Sequence, residues 1–160
     1  MIAVSQLLLL VLIANGAPVI ARQLFGRRWA RAVDGGRLFA DGRPWLGPSK
    51  TIRGILAALL CTSVAAVLVG LSAFIGLQVA AGAMLGDLLS SFTKRRLGIA
   101  SSDMALGLDQ IPEVLVPALL VGAQLGVTPA GMAGVVAAFV VLELVLSRIL
   151  FALNIRRRPF

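Results

Sequence analysis

Five apolar segments, at residues 2–21, 52–74, 78–93, 111–125 and 129–152, occupy most of this 160-residue chain. A helix that crosses a bilayer needs about 20 mostly apolar residues. The third and fourth segments are short, and the fourth carries Pro112 and Pro117. With 59% hydrophobic residues and a mean hydropathy of +0.97, the chain falls outside the soluble globular range. The expected fold is an all-α polytopic membrane protein: about five transmembrane helices forming a single integral membrane domain over residues 1–160.

Charge placement fixes the topology better than hydropathy does. All 15 Lys and Arg residues lie in or beside three places, residues 22–53, 94–96 and 148–158. With five spans those places share one side, which the positive-inside rule makes the cytoplasm. The opposite side holds the first six residues, a turn expected around Gly76, and a turn at Gly126-Val127-Thr128-Pro129, none with a Lys or Arg. The amino terminus is expected outside, the carboxyl terminus inside, and the protein in the cell inner membrane. Residues 7–13 lack the basic leader of a secretory signal and read as part of a span. The single cysteine, Cys61, lies mid-span and offers neither a disulfide nor a thiolate metal site. The net charge of +8 flanks membrane segments, so lipid headgroups and topology account for it and no nucleic-acid partner is expected.

One run breaks the apolar pattern: Gly86-Asp87-Leu88-Leu89-Ser90-Ser91-Phe92-Thr93-Lys94-Arg95-Arg96. An ionisable group at bilayer depth costs about 2.5–3.5 kcal/mol on insertion scales, so an acid there usually has a partner or a task. On a helix Asp87, Ser90, Ser91, Lys94 and Arg95 fall on one face.

The two cytoplasmic loops add further polar groups. Residues 22–53 are rich in Gly and Pro yet contain Leu38, Phe39, Trp45 and Leu46, and Asp41-Gly42 sits where a hairpin would turn. This loop is expected to be a small ordered flap on the membrane surface. It ends in Lys50-Thr51, but Gly47-Pro48-Ser49 precedes the pair and the P-loop spacing fails. Lys50 and Arg53 lie one turn apart at the start of a helix, a place that favours anions and also suits headgroup anchoring. The second loop, 94–110, closes on Asp109-Gln110. Alone, Asp109 reads as a helix N-cap. With Asp87 on the same side, two carboxylates among cations also suit Mg²⁺ and phosphates. Glu143, within the last segment, reads as an internal ion pair or interhelical hydrogen bond.

The sequence has no histidine and no tyrosine, which excludes imidazole metal sites and Ser-His-Asp hydrolases. A phosphate monoester, with a second pKa of about 6, attacks phosphorus without first losing a proton. Alignment and charge neutralisation then suffice.

The segments Asp34-Gly35-Gly36-Arg37, Asp41-Gly42-Arg43-Pro44, Leu46-Gly47-Pro48-Ser49-Lys50-Thr51-Ile52-Arg53-Gly54, the run from Gly86 to Gly98, and Leu108-Asp109-Gln110 resemble, in this order, the CDP-archaeol synthases. More distantly the pattern is similar to CDP-diacylglycerol synthases. The resemblance implies a Mg²⁺-dependent cytidylyltransferase that joins CTP to a lipid phosphate, giving a CDP-lipid and pyrophosphate. It implies Asp87 and Asp109 as metal ligands with Ser90 or Ser91 beside them, and Lys94, Arg95, Lys50 and Arg53 on triphosphate oxygens. Asp34 lies in a matching motif as a candidate substrate contact, and Asp41 in another, each free to touch metal, nucleotide or its own loop. Ser147 stands where archaeal members tend to have Asn, while Arg156-Arg157-Arg158-Pro159-Phe160 keeps their basic tail, so the lipid is left open between archaeol-like and related glycerol phosphates. The alternative is a small cation transporter or channel using Asp87 and Glu143. A CDP-alcohol phosphotransferase fits less well, because its paired Asp pattern along one helix is not present.

Overall fold

The computed structural model describes residues 2–101, 103 and 105–152. Five helices make up the architecture: α1 (Ile2–Phe25), α2 (Ile52–Leu68), α3 (Ala73–Arg96), α4 (Gln110–Val121) and α5 (Pro129–Ala152). The chain is an all-α integral membrane protein. Helices α1, α3 and α5 are long and apolar enough to cross a bilayer, whereas α2 and α4 are apolar but shorter. Side chains such as Leu24, Leu60, Leu68 and Leu119 stand mostly exposed, an outward apolar surface that suits lipid and not water.

Helix α1 touches each of the other four. Towards its start, Leu7, Leu10 and Val11 are fully buried against Val79, Val114, Ala118, Val121, Val135 and Phe139. Further along, the core narrows to Ala14, Ala58, Ala80, Ala83 and Met84. Small residues let backbones approach closely, which is how helices associate where lipid removes the hydrophobic drive.

Two boundaries differ from the sequence expectation. The second helix ends at Leu68, the turn lies at residues 69–72 with Gly70 at φ +80°, and α3 begins at Ala73. Gly76 is therefore inside α3 and does not mark the turn. Its place is explained by packing, since a Cβ there would sit 2.6 Å from the Thr62 carbonyl oxygen and 2.7 Å from Ser63 Cα on α2. The third helix is consequently 24 residues long, not a short span.

The seam between α3 and α4 positions the site. A Cβ at Gly82 would lie 2.8 Å from Pro117 Cα, and one at Gly86 would collide with the Pro112 carbonyl. Pro112 stands in the first turn of α4, where its missing N–H leaves no helical bond unmade. Two glycines on one helix and two prolines on the other thus set the distance at which Asp87 and the start of α4 face each other.

Gly82→Ala should force these helices apart and destabilise the protein by about 1–3 kcal/mol. A denaturation midpoint in mild detergent checks this, with Gly134→Ala, whose Cβ would meet nothing within 4 Å, as the neutral control.

Candidate functional site

The first loop is ordered and clasps the end of α3. An antiparallel bridge pairs Leu38 with Pro44, and Gly42 at φ +73° makes the turn between them, as the Asp41-Gly42 signal predicts. Phe39 and Trp45 pack around Phe92 of α3, with ring centroids 5.6 and 5.8 Å away. Arg96 lies over Phe39 and Phe92, donates to the Pro44 carbonyl at 2.5 Å and pairs with Asp41. Arg43 returns the contact by donating to the Arg96 carbonyl at 2.6 Å. The two loops also meet through the Ser101 and Ser49 hydroxyls, 3.0 Å apart.

Asp34 holds the loop's own fold. Its carboxylate accepts from the backbone N–H groups of Gly36, Leu46 and Gly47 at 2.8–2.9 Å. Burial alone would raise its pKa, but the N–H groups of Gly47, Gly36 and Leu46 outweigh that and hold it below the ordinary 3.8.

Lys50 is fixed by backbone pairing on both sides: Val33 N–H donates to the Lys50 carbonyl at 2.9 Å, and Ile52 N–H to the Arg31 carbonyl at 3.0 Å. Its ammonium pairs with Asp87 of α3. About two turns further along α3, Lys94 pairs with Asp109 at 2.6 Å and donates to the Asp103 carbonyl at 2.9 Å. Asp87 and Asp109 therefore lie on one side of the bundle, each held by its own lysine. Asp109 occupies the N-cap position of α4, but its side chain makes no capping bond there and accepts instead from Ala105 N–H at 2.9 Å.

The predicted α3 face is present. Ser90, Ser91, Lys94 and Arg95 are all buried. The Ser90 hydroxyl donates to the Gly86 carbonyl at 2.9 Å, so it enters the site as an acceptor. Arg95 donates to the Ala100 carbonyl at 3.0 Å, and its Nε, buried, has no hydrogen-bond partner among the described residues. A buried guanidinium N–H without an acceptor is costly and suits an anion that completes it. Arg53 faces elsewhere: it donates to the Gly26 and Arg28 carbonyls and lies 6.0 Å from the Phe25 ring.

Sequence reasoning missed Glu113. It is 8% exposed at the start of α4, its carboxyl hydrogen-bonds to Asp87, and the charges of Asp87, Glu143 and Lys50 all act on it. The available signal was an acid directly after Pro112 in an otherwise apolar segment. Gln110, fully buried, accepts from Gly107 N–H at 2.7 Å and pins the turn that leads into α4.

A site with acids and cations from three separate elements, at one end of a membrane bundle, is the setting the sequence motifs imply. The whole chain, residues 1–160, matches the family described as CarS-like CDP-archaeol synthase. The chain belongs to that family. The CDP-archaeol synthase of Aeropyrum pernix is 38% identical over 96% of this chain and 89% of its own length. That of Hyperthermus butylicus is 42% identical over 62% of this chain, and the match spans 60% of that relative. A solved structure described as an intramembrane enzyme for archaeal membrane lipids biosynthesis superposes with a TM-score of 0.76 at 38% identity, covering 88% of this chain and 90% of that one. As a CDP-archaeol synthase family member the chain is an enzyme, a CTP-dependent lipid cytidylyltransferase, and the cation-transport alternative falls away. Its basic tail, residues 156–160, lies outside the described residues.

Asp34→Asn should loosen the first loop by about 1–2 kcal/mol, through weaker acceptance from three N–H groups. Trypsin should then cut after Arg37 faster than in the unaltered protein. The pH dependence has a definite sign. A carboxylate whose folded pKa is lowered stabilises fully above its unfolded value and loses that contribution as pH falls through the folded one. The loop should thus hold at neutral pH and loosen below 3.8, read as a red shift of Trp45 emission.

Proposed function

We propose that this protein transfers CMP from CTP to a lipid phosphate at the cytoplasmic face of the cell membrane, with Mg²⁺, its amino terminus outside and its carboxyl terminus inside. The observation that carries this reading is the meeting of Asp87, Glu113 and Lys50 beside the Lys94–Asp109 pair, where α3, α4 and the first loop converge.

The donor set fits Mg²⁺. Among the described residues no group of three or more His, Cys, Asp or Glu is placed to hold a metal by itself. Mg²⁺ does not require one, because it is commonly held by one or two carboxylates with substrate phosphates and water. Asp87 and Glu113 supply two carboxylates already side by side, and Asp109, paired with Lys94 about two turns along α3, is a third on the same side. The ion, when bound, supplies charge neutralisation and alignment for phosphoryl oxygens.

The chain's own groups do the rest. Lys94 and Arg95, held by the second loop through the Asp103 and Ala100 carbonyls, receive the triphosphate, with Arg95 Nε, which has no partner among the described residues, ready for an acceptor. Lys50 shares its ammonium between Asp87 and the incoming phosphates. The lipid phosphate oxygen attacks the α-phosphorus of CTP, the bond to the bridging oxygen breaks, and pyrophosphate leaves with that electron pair. A dianionic phosphate has no proton to give up, so a chain without histidine can run this step. Ser90 and Ser91, buried beside Asp87, keep the pocket polar and narrow. Two family expectations take a different place. Asp34 serves the loop rather than the substrate, and Arg53 is set apart from the triphosphate.

Purified protein with Mg²⁺ should transfer radiolabelled CMP from CTP to a lipid phosphate from a panel of archaeol-like and acyl glycerol phosphates. No product with any of them, from folded protein, overturns the reading. Asp87→Asn should abolish turnover. Glu113→Gln and Asp109→Asn separate the two candidates for the second carboxylate: the true ligand's loss weakens Mn²⁺ binding, followed by electron paramagnetic resonance, by about tenfold or more.

A further inference from the structure

Among the described residues, Gln110 is the largest polar side chain that the fold buries completely. Its amide has one possible orientation. The oxygen, Oε1, accepts from Gly107 N–H at 2.7 Å, so the NH2 group points the other way. There Nε2 is buried, and no described residue accepts from it. Buried polar groups are nearly always paired, so an orphaned donor beside a reaction site marks where a ligand supplies the acceptor. We propose that Gln110 is a substrate-binding residue whose Nε2 donates to an oxygen of the β-phosphate of CTP, the group that leaves in pyrophosphate. The proposal rests on the transferase reading above and adds a neutral donor to its cations.

The crossing of α3 and α4 fixes where that donor lies. Gly82 meets Pro117, Gly86 meets Pro112 and Glu113, and Lys94 meets Asp109, so α4 descends as α3 advances. Gln110 belongs to the buried stripe of α4 with Glu113, Val114 and Pro117, one turn before Glu113. It therefore stands at the level of Ser90 and Ser91, which are buried on the facing helix. On one side of that level lie Asp87 and Glu113, the carboxylates that suit the metal and the reacting α-phosphorus. On the other lie the Lys94–Asp109 pair and Arg95, whose guanidinium feels the charges of Asp103 and Asp109. A triphosphate laid from the first pair to the second passes Gln110 at its middle phosphate.

The chemistry of the donor selects an anion. An amide NH2 has no lone pair to offer a metal ion, and the amide oxygen is already committed to Gly107. Lys94 and Arg95 nearby are likewise donors only, and Asp109 leaves the first turn of α4 without a side-chain cap. A negatively charged oxygen is what this set lacks. The donor also gains strength as the reaction proceeds, because negative charge grows on the β-phosphate when its bond to the α-phosphorus breaks.

Two substitutions separate this role from support of the turn at Gly107. Gln110→Glu keeps an acceptor for Gly107 N–H and loses the donor, whereas Gln110→Met loses both but brings no charge. In calorimetric titrations with magnesium pyrophosphate, both variants should bind about 10- to 100-fold more weakly than the unaltered protein. CMP, which has no β-phosphate, should bind all three alike. Mn²⁺, followed by electron paramagnetic resonance, should bind Gln110→Met as tightly as the unaltered protein, because the lost donor is no metal ligand. In the transfer assay kcat should fall while KM for the lipid phosphate stays the same. Full pyrophosphate affinity in Gln110→Glu, with loss in Gln110→Met alone, assigns the residue to the turn and overturns the proposal. So does an equal loss of CMP binding, or an unaltered protein that binds no pyrophosphate. Should Gln110→Glu fail to fold, Gln110→Met decides: selective loss of pyrophosphate upholds the proposal, and joint loss of pyrophosphate and Mn²⁺ overturns it. The titrations need no turnover, so selective loss without any CMP transfer upholds the polyphosphate donor and rejects the transferase. Transfer at full kcat in both variants rejects Gln110 and leaves the transferase standing.

Discussion

The close approach of α3 to α4 is the constraint on which the site depends. Gly82 and Gly86 let α3 lie against Pro117 and Pro112 at distances that no side chain would permit. In lipid, helices gain little by hiding apolar surface from one another, so van der Waals fit along such a seam is a main source of specific pairing. The seam does more than hold two helices. Asp87 follows Gly86 and Glu113 follows Pro112, so the residues that set the spacing also set the distance between two acids. A carboxylate on either helix alone would be an uncompensated cost at this depth. Brought together beside Lys50, they become a polar centre that the surrounding apolar core isolates.

Charge pairing then ties the loops to that centre. Each ion pair joins two elements: Lys50 of the first loop to Asp87 of α3, Lys94 of α3 to Asp109 before α4, and Arg96 of α3 to Asp41 of the first loop. The two inner pairs are mostly buried and the Arg96–Asp41 pair is more exposed, so their worth differs. Exposed pairs contribute about 0–1 kcal/mol, and here the aromatic contacts of Phe39 and Trp45 with Phe92 carry more of the docking. A buried cation, by contrast, cannot lose its acid without gaining another anion. Lys50 and Lys94 are thus held in place before any substrate arrives, and a polyphosphate can replace part of what their aspartates supply.

Much of this was legible in the sequence because it depends on local pattern. Apolar length gave the helices, the spacing from Asp87 to Arg95 gave a face that is indeed turned inward, and Asp41-Gly42 gave the hairpin. What escaped depends on contacts between elements. Gly76 reads as a turn residue because glycine is common in turns, yet its helical place follows from the carbonyl of Thr62 on another helix. Glu113 reads as one acid in a proline-broken segment until the α3–α4 crossing sets it against Asp87. Asp34 stands in a motif and draws attention as a ligand, but three N–H groups of its own loop use its oxygens. Arg53 pairs with Lys50 by spacing alone, and only the fold shows them reaching different neighbours.

That divergence bears on how one small bundle can serve two unlike substrates. A nucleotide triphosphate is polar throughout and arrives from water, whereas a lipid phosphate is polar at one end and stays in the membrane. Their reacting phosphates must meet, but their other parts require opposite surroundings. At the start of α2 the two cations part. Lys50 precedes the N-cap Thr51 in extended backbone and Arg53 stands in the first helical turn, so the two side chains leave the chain in different directions. Lys50 reaches Asp87 in the acid-lined centre, and Arg53 reaches the Gly26 and Arg28 carbonyls just beyond the end of α1. One cation thus serves the polar centre, and the other ties the start of the first loop to α2.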